Sequence, residues 1–334
     1  MSASNESFQA PPPPVTPSKP RAPRPVKLRP FAIAFLVLGL LVLGAGIPGI
    51  VPGGIGTGGA IAFFGACLLA FSFIPLPEIA HEETPLSFFD SVTGIFYEPS
   101  RVFRNLRVHP RWVGAFVVVI VLTVIYSFAF VQRITPERIV EHMTQKISEM
   151  GPPFAPPPEA IERMRETQMA QLKNPVQRIG GVIRTAVGLF VISALVAGIS
   201  LLGVLVFGGR INFWQALSVN FYVWVPVTVI QKLLGLVILY LKAPEDLHPI
   251  LNQETTLQDN LSILMSPAEH PVLFVLLSFI GLTWFYLVWL RAKGLRFGGT
   301  KVSSGAAWGV SLTIYILFML FVTVWTSLFP QFIS

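Results

Sequence analysis

The chain has 334 residues, of which 53% are hydrophobic and only 12% charged, and its mean hydropathy is +0.66. Soluble domains carry roughly a quarter charged residues, so this composition excludes an ordinary cytosolic enzyme and requires that most of the chain be buried in lipid. Lys and Arg number 24 against 17 Asp and Glu, a net charge of +7, which in a membrane protein records the loops that face the cytosol and does not call for nucleic acid.

Residues 1–30 interleave Pro11 to Pro14, Pro17, Pro20, Pro23, Pro25 and Pro30 with Lys19, Arg21, Arg24, Lys27 and Arg29. A helix cannot form through so many prolines and there is no apolar face to bury, so a disordered, basic, proline-rich tail is predicted. Its arrangement is not that of a secretory signal, whose apolar region follows a short basic start. An SH3-type ligand is one use for such a tail, and a basic spacer lying along anionic lipid is the plainer one.

Crossing about 30 Å of hydrocarbon takes roughly 20 helical residues. About seven transmembrane helices are predicted, at Phe31 to Val51, Gly58 to Ile74, Trp112 to Val131, Thr185 to Phe207, Phe213 to Leu241, Pro271 to Leu290 and Ala306 to Phe329. The fold class is therefore all-α, a polytopic helical membrane protein. The first two spans, within 31–76, are Gly-rich and joined by a few residues, which fits a tight transmembrane hairpin or a re-entrant pair. Pro226 in the fifth span predicts a kink that frees a backbone carbonyl.

Two amphipathic stretches flank the third span. Pro85 to Pro110 sets Phe88, Phe89, Val92, Ile95, Phe96, Val102, Phe103 and Leu106 among Arg101, Arg104 and Arg107, a pattern for a segment lying in the membrane interface. Beyond the span, residues 135–173 read as an extramembrane helical hairpin. Thr135, Pro136 and Glu137 supply its first helix start, Ile139, Met143, Ile147 and Met150 recur at helical spacing, and Gly151 to Pro158 breaks it before a second helix from about Glu159 to Lys173.

Orientation follows from the basic residues. With the N-terminus in the cytosol, that side receives the tail, Arg101, Arg104, Arg107, Arg111, Arg210, Arg291, Lys293, Arg296 and Lys301. The far side takes the basic residues from Arg133 to Arg184 together with Lys242, so the positive-inside bias favours N-in and C-out.

Chemistry-bearing motifs are few. Gly54, Gly56 and Gly59 match a dinucleotide fingerprint in form, but they stand between two apolar spans with no strand before them. His81, His109, His142, His248 and His270 are scattered without a pair at ligand spacing, which argues against a metal site. Cys67 is the single cysteine, so no internal disulfide or thiolate metal site is expected. Asn260 and Ser262 form a glycosylation triplet on the predicted outer side. No carboxylate falls inside any span, and Lys232 is the one clear cation there, placed where a lysine snorkels; Asn220 and Gln231 are expected to hydrogen-bond between helices. No catalytic residues, cofactor or metal ligands are predicted. The candidate contact residues are Arg101, Arg104, Arg107 and Arg111, which suit anionic headgroups or an acidic partner surface, each worth on the order of 1 kcal/mol beside anionic lipid.

The run Phe96, Tyr97, Glu98, Pro99, then Phe103, Leu106, Pro110 and Trp112 entering a span, resembles the start of the Yip domain of the Ypt/Rab-interacting membrane protein family. Gly208, Gly209, Arg210, Phe213 and Ala216 opening the span with Pro226 are similar to its middle segment. Trp284, Trp289, Gly294, Leu295, Ser303, Ser304 and Ala306 are similar to its close. The resemblance covers about residues 86 to 327 and implies a five-span core, within 84–330, with a cytosolic N-terminal side. It also implies kinship with eukaryotic members that bind prenylated Rab-type GTPases in vesicle transport. Their acidic-aromatic-Gly-Pro motif is absent from Arg111 to Val131, which points to the bacterial branch and the cytoplasmic membrane. The expected function is a non-enzymatic scaffold or partner-binding module with its partner at the cytosolic face; the alternative is a channel or transporter for a neutral or apolar solute.

Overall fold

The computed structural model describes residues 24–77, 84–149, 156–253 and 256–330. The tail up to residue 23, His81 and most of the predicted break at 151–158 lie outside them. Among the described residues the chain is helical, with two isolated β-bridges and no strand. Among the described residues six helices are long and apolar enough to cross a bilayer.

The first two, α1 (Leu28–Gly46) and α2 (Gly54–Phe71), form a full antiparallel hairpin. Glycine makes this contact possible. A Cβ on Gly39 would stand 2.2 Å from the Ala62 nitrogen, one on Gly58 2.2 Å from the Leu43 nitrogen, and one on Gly65 2.4 Å from the Leu36 nitrogen. The backbones approach as small residues permit in membranes; of the apparent dinucleotide fingerprint, Gly54 belongs to this close contact, with a Cβ there 2.8 Å from the Gly46 Cα, whereas Gly56 faces the Arg184 side chain.

Two short helices, α3 (Phe88–Tyr97) and α4 (Pro99–Val108), precede the first core span, α5 (Trp112–Ile134). Then come α6 (Pro136–Ser148) and α7 (Pro158–Lys173), joined by a 2.6 Å Lys173–Glu137 ion pair, whose hydrogen bond from Lys173 holds the Glu137 carboxyl below its usual range. The span α8 (Pro175–Val206) has 32 residues, about 48 Å of rise, and so outreaches the hydrocarbon. Asn174 caps it by accepting from the Val176 amide at 2.9 Å.

At the centre lies α9 (Phe213–Leu241), buried on all sides from Phe213 to Val223, as expected of a helix apolar all round. Asn212 and Gln215 close a capping box at its start, and the helix continues without interruption through the buried Pro226. Aromatic rings bind it to its neighbours: Trp112 of α5 stands 5.3 Å from Phe190 of α8 and 5.8 Å from Phe221 of α9 between ring centroids.

The predicted span at 271–290 is two helices, α10 (Pro271–Ser278) and α11 (Leu282–Gly298). The break at Phe279 to Gly281 is built by an earlier segment. The Leu261 amide donates to the Ile280 carbonyl at 3.0 Å, and the Leu282 and Thr283 amides donate to the Asp259 carbonyl and carboxylate at 3.3 and 2.7 Å. A Cβ on Gly281 would lie 2.7 Å from that of Asn260, so only glycine admits this approach. The last span, α12 (Ser304–Leu328), starts on the Ser303 cap and bonds the break through Tyr315, whose hydroxyl donates to the Phe279 carbonyl at 2.7 Å.

A candidate contact face at the basic end

The starts of α5, α9 and α12 gather with the ends of α2, α8 and α11, which gives the bundle a basic end. It is tied together by backbone bonds between Arg210 and Thr300, at 2.8 and 2.6 Å, and by α9, whose Asn212 and Trp214 side chains donate to the Pro75 and Ile74 carbonyls at 2.8 and 3.2 Å.

The amphipathic segment is docked into this end and does not simply float in the interface. Ser87 caps α3 by accepting from the Asp90 amide at 3.1 Å, and Pro99 opens α4 in the first turn. Asn105 on α4 fastens the preceding strand of chain, accepting from the Leu86 amide and donating to the Thr84 carbonyl, both at 3.2 Å. Val102, Phe103 and Leu106 are then buried. The Phe103 ring lies against Gly294 of α11, where an added Cβ would come within 3.2 Å of it and 2.5 Å of Val219. Gln215 of α9 donates to the Arg107 carbonyl at 2.6 Å. Phe88, Phe89, Phe96 and Tyr97 remain exposed, so the apolar residues divide between protein and bilayer.

The four arginines have different surroundings. Arg101 is exposed and pairs with Glu98 at 3.2 Å. Arg104 is exposed, with its guanidinium 5.5 Å from the centroid of Phe297, a ring that Arg296 also approaches at 5.4 Å. Arg107 is half-buried and Arg111 exposed. Arg210 and Lys301 are also exposed, and Lys293 lies over Trp289 at 4.6 Å.

One residue assigned to the cytosolic loop belongs elsewhere. Arg291 sits inside α11, only 5% exposed, and donates to Asn220 of α9 at 3.3 Å. Helical phase explains it, because Leu287, Leu290, Gly294 and Gly298 share the buried side of α11. Lys232 is likewise buried at 6% exposure, its ammonium 4.8 Å from the centre of the Tyr126 ring.

At the opposite end, His142 of α6 and His248 meet edge to face at 4.9 Å, a pairing that sequence spacing does not reveal. The His248 Nδ1 accepts from the Ile250 and Leu251 amides, both at 3.1 Å. Burial pushes His248 down to about 4, helped by His142, Lys146 and Arg138. Among the described residues no group of three His, Cys, Asp or Glu side chains is placed to hold a metal ion. Asn260 of the glycosylation triplet is engaged within the helix break, where its Oδ1 accepts from the Ser262 amide at 3.1 Å.

These features define a multi-pass α-helical membrane protein with a docked amphipathic platform before its core spans. The model of the Yip1 domain family matches residues 93–326, and the chain belongs to that family. Neither curated proteins nor solved structures yield a significant match. The α1–α2 hairpin lies before the matched region.

Proposed function

We propose that this Yip1-family protein is a non-enzymatic membrane scaffold that receives an acidic partner or anionic headgroups on the face carrying Arg101, Arg104, Arg107 and Arg111. One observation carries the reading: α4 is anchored in the bundle through Val102, Phe103 and Leu106 while Arg101 and Arg104 stay exposed beside it. A rigidly held charged surface binds without the ordering cost of a loose one. In this reading the face is cytosolic, the membrane is the bacterial cytoplasmic membrane, and the role lies in membrane organisation. Photocrosslinking from positions 101 and 104 of the full-length protein in its own membrane is expected to trap one recurring protein or anionic lipid, which a probe at Ser148 does not trap. No recurring product from positions 101 and 104, or the same protein trapped from both ends, would sink the scaffold reading.

A second reading has its own support. Discontinuous helices mark solute sites in transporters, and the break between α10 and α11 brings the Asp259 carboxylate to a helix start. In proteoliposomes, glycerol efflux above that of empty vesicles, altered by Asp259→Asn, would establish transport. Efflux equal to that of empty vesicles leaves the scaffold reading standing.

A further inference from the structure

A cleft of about 310 Å³ opens at the end of the bundle opposite the arginine face, between α5, α7, α8 and α9. Arg178, Arg184 and Lys232 line it, with Gln171, Gln177 and Ser127 among the polar groups beside them. None of the described lining residues is acidic. Arg178 is steadied by Phe128, whose ring centre lies 4.3 Å from the guanidinium carbon. The buried Gln177 Oε1 has no hydrogen-bond partner, and the same amide turned over presents its NH₂ as a further donor.

Depth gives the cleft its meaning. About 20 residues of helix cross the hydrocarbon. Counted from the basic end, that length runs from Val206 of α8 back to Val187, three residues short of Arg184, and from Phe213 of α9 to Lys232. Lys232 lies over Tyr126 of α5, and Val131 of the same helix also lines the cleft. The cleft therefore lies at the boundary of hydrocarbon and headgroups in the leaflet away from the arginine face, with Arg178 at headgroup level. Two guanidinium groups that line one cleft near lipid repel each other, and a doubly or singly charged oxyanion in that cleft relieves the repulsion through forked, charge-assisted hydrogen bonds.

We propose that this cleft binds a phosphate-bearing anion, either the phosphate of an anionic lipid headgroup or inorganic phosphate, through Arg178 and Arg184. The full-length protein serves for the test, both unaltered and in an Arg101→Gln/Arg104→Gln background that removes the opposite face. Native mass spectrometry with equimolar phosphatidylglycerol and phosphatidylcholine reads the lipid source. Thermal unfolding in neutral micelles, in sodium phosphate against sodium chloride of equal ionic strength, reads the free anion. For a lipid phosphate, phosphatidylglycerol is retained preferentially in both proteins. Arg178→Gln/Arg184→Gln then reduces that preference at least about tenfold, since one charge-assisted contact alone is worth that much, and Arg178→Lys/Arg184→Lys partly restores it. For inorganic phosphate, the unfolding midpoint rises in phosphate and the glutamine pair abolishes the rise. In the Arg101→Gln/Arg104→Gln background, a lipid preference that survives the glutamine pair, or one that vanishes with no phosphate-dependent rise of the midpoint, overturns the proposal. So do equal lipid adducts together with equal midpoints in the two salts. If the glutamine pair fails to fold, a photoactivatable phosphatidylglycerol decides on the unaltered protein: adducts on the α8 peptide from Arg178 to Arg184 support the site, and adducts confined to 101–111 overturn it.

Discussion

Arg291 and Asn220 meet inside the bundle, the guanidinium Nη2 donating to the amide oxygen at 3.3 Å, with both side chains buried. Neither the Arg291 Nε nor the Asn220 Nδ2 has a hydrogen-bond partner among the described residues. A buried charge so thinly satisfied is costly, and replacing such a group by an apolar one of similar volume is often neutral or stabilising. Asn220→Leu, which strands the guanidinium, is expected to lower stability by about 1.5–3 kcal/mol. Adding Arg291→Met is expected to recover most of it. Unfolding of the single and double variants in mild detergent measures the coupling, and additive losses would show that the two side chains do not act together.

Docking of α4 depends on one glycine and one ring. Phe103→Ala empties a fully buried site and is expected to cost about 3–5 kcal/mol. Gly294→Ala thrusts a methyl toward Val219 and Phe103 and is expected to cost about 1–3 kcal/mol. Limited proteolysis at 98–111 checks both, since an undocked α4 is cut faster than the docked one.

Acid should loosen the contact between α6 and the loop at 243–253. Burial lowers His142 as well as His248, with Lys146 and Arg138 adding to the effect and Glu149 opposing it. Glu141, Glu245 and Asp246 share the surrounding cleft. Because the folded-state values lie below the ordinary 6.5, the unfolded chain takes up protons first. The stabilisation is thus complete above about pH 6.5 and declines as pH falls toward about 4. Protonation at the His248 Nδ1 also removes the acceptor for the Ile250 and Leu251 amides. Protection of those amides, the exchange rate taken relative to the intrinsic rate at the same pH, is expected to fall between pH 7 and 4.5, and His248→Asn to flatten the change. Protection that does not change with pH in the unaltered protein would refute it.

Orientation is open to a direct measurement. Ser148 and Ser304 are both exposed and stand at opposite ends. Single cysteines there, in a Cys67→Ala protein, are expected to react with an impermeant maleimide from opposite sides of the membrane, with Ser304→Cys protected in intact cells. Labelling of both from one side would contradict the bundle.

Apolar length alone placed the spans at α5, α8, α9 and α12, because a run of that length has no alternative to crossing lipid. The docking of α4 was legible only in part. Its apolar and basic spacing revealed an amphipathic helix, but the partner of Phe103 is Gly294, remote in sequence. The break at Phe279 to Gly281 escaped for a related reason. Pro271 to Leu290 is continuous apolar sequence, and the interruption is imposed by the backbone of Asp259 to Leu261. The cleft of Arg178, Arg184 and Lys232 draws on α5, α7, α8 and α9, a convergence that local periodicity does not register.

Asn212 holds two structures with one side chain: its oxygen caps α9, accepting from Trp214, and its nitrogen grips the Pro75 carbonyl just past the α1–α2 hairpin. Those two residues are 137 positions apart. At cellular rates of synthesis the hairpin leaves the ribosome on the order of ten seconds before its anchor is made. Through that interval it has to stand in the bilayer on its own glycine contacts, which makes the close fit of Gly39, Gly58 and Gly65 a requirement of biogenesis before it is a feature of the finished bundle.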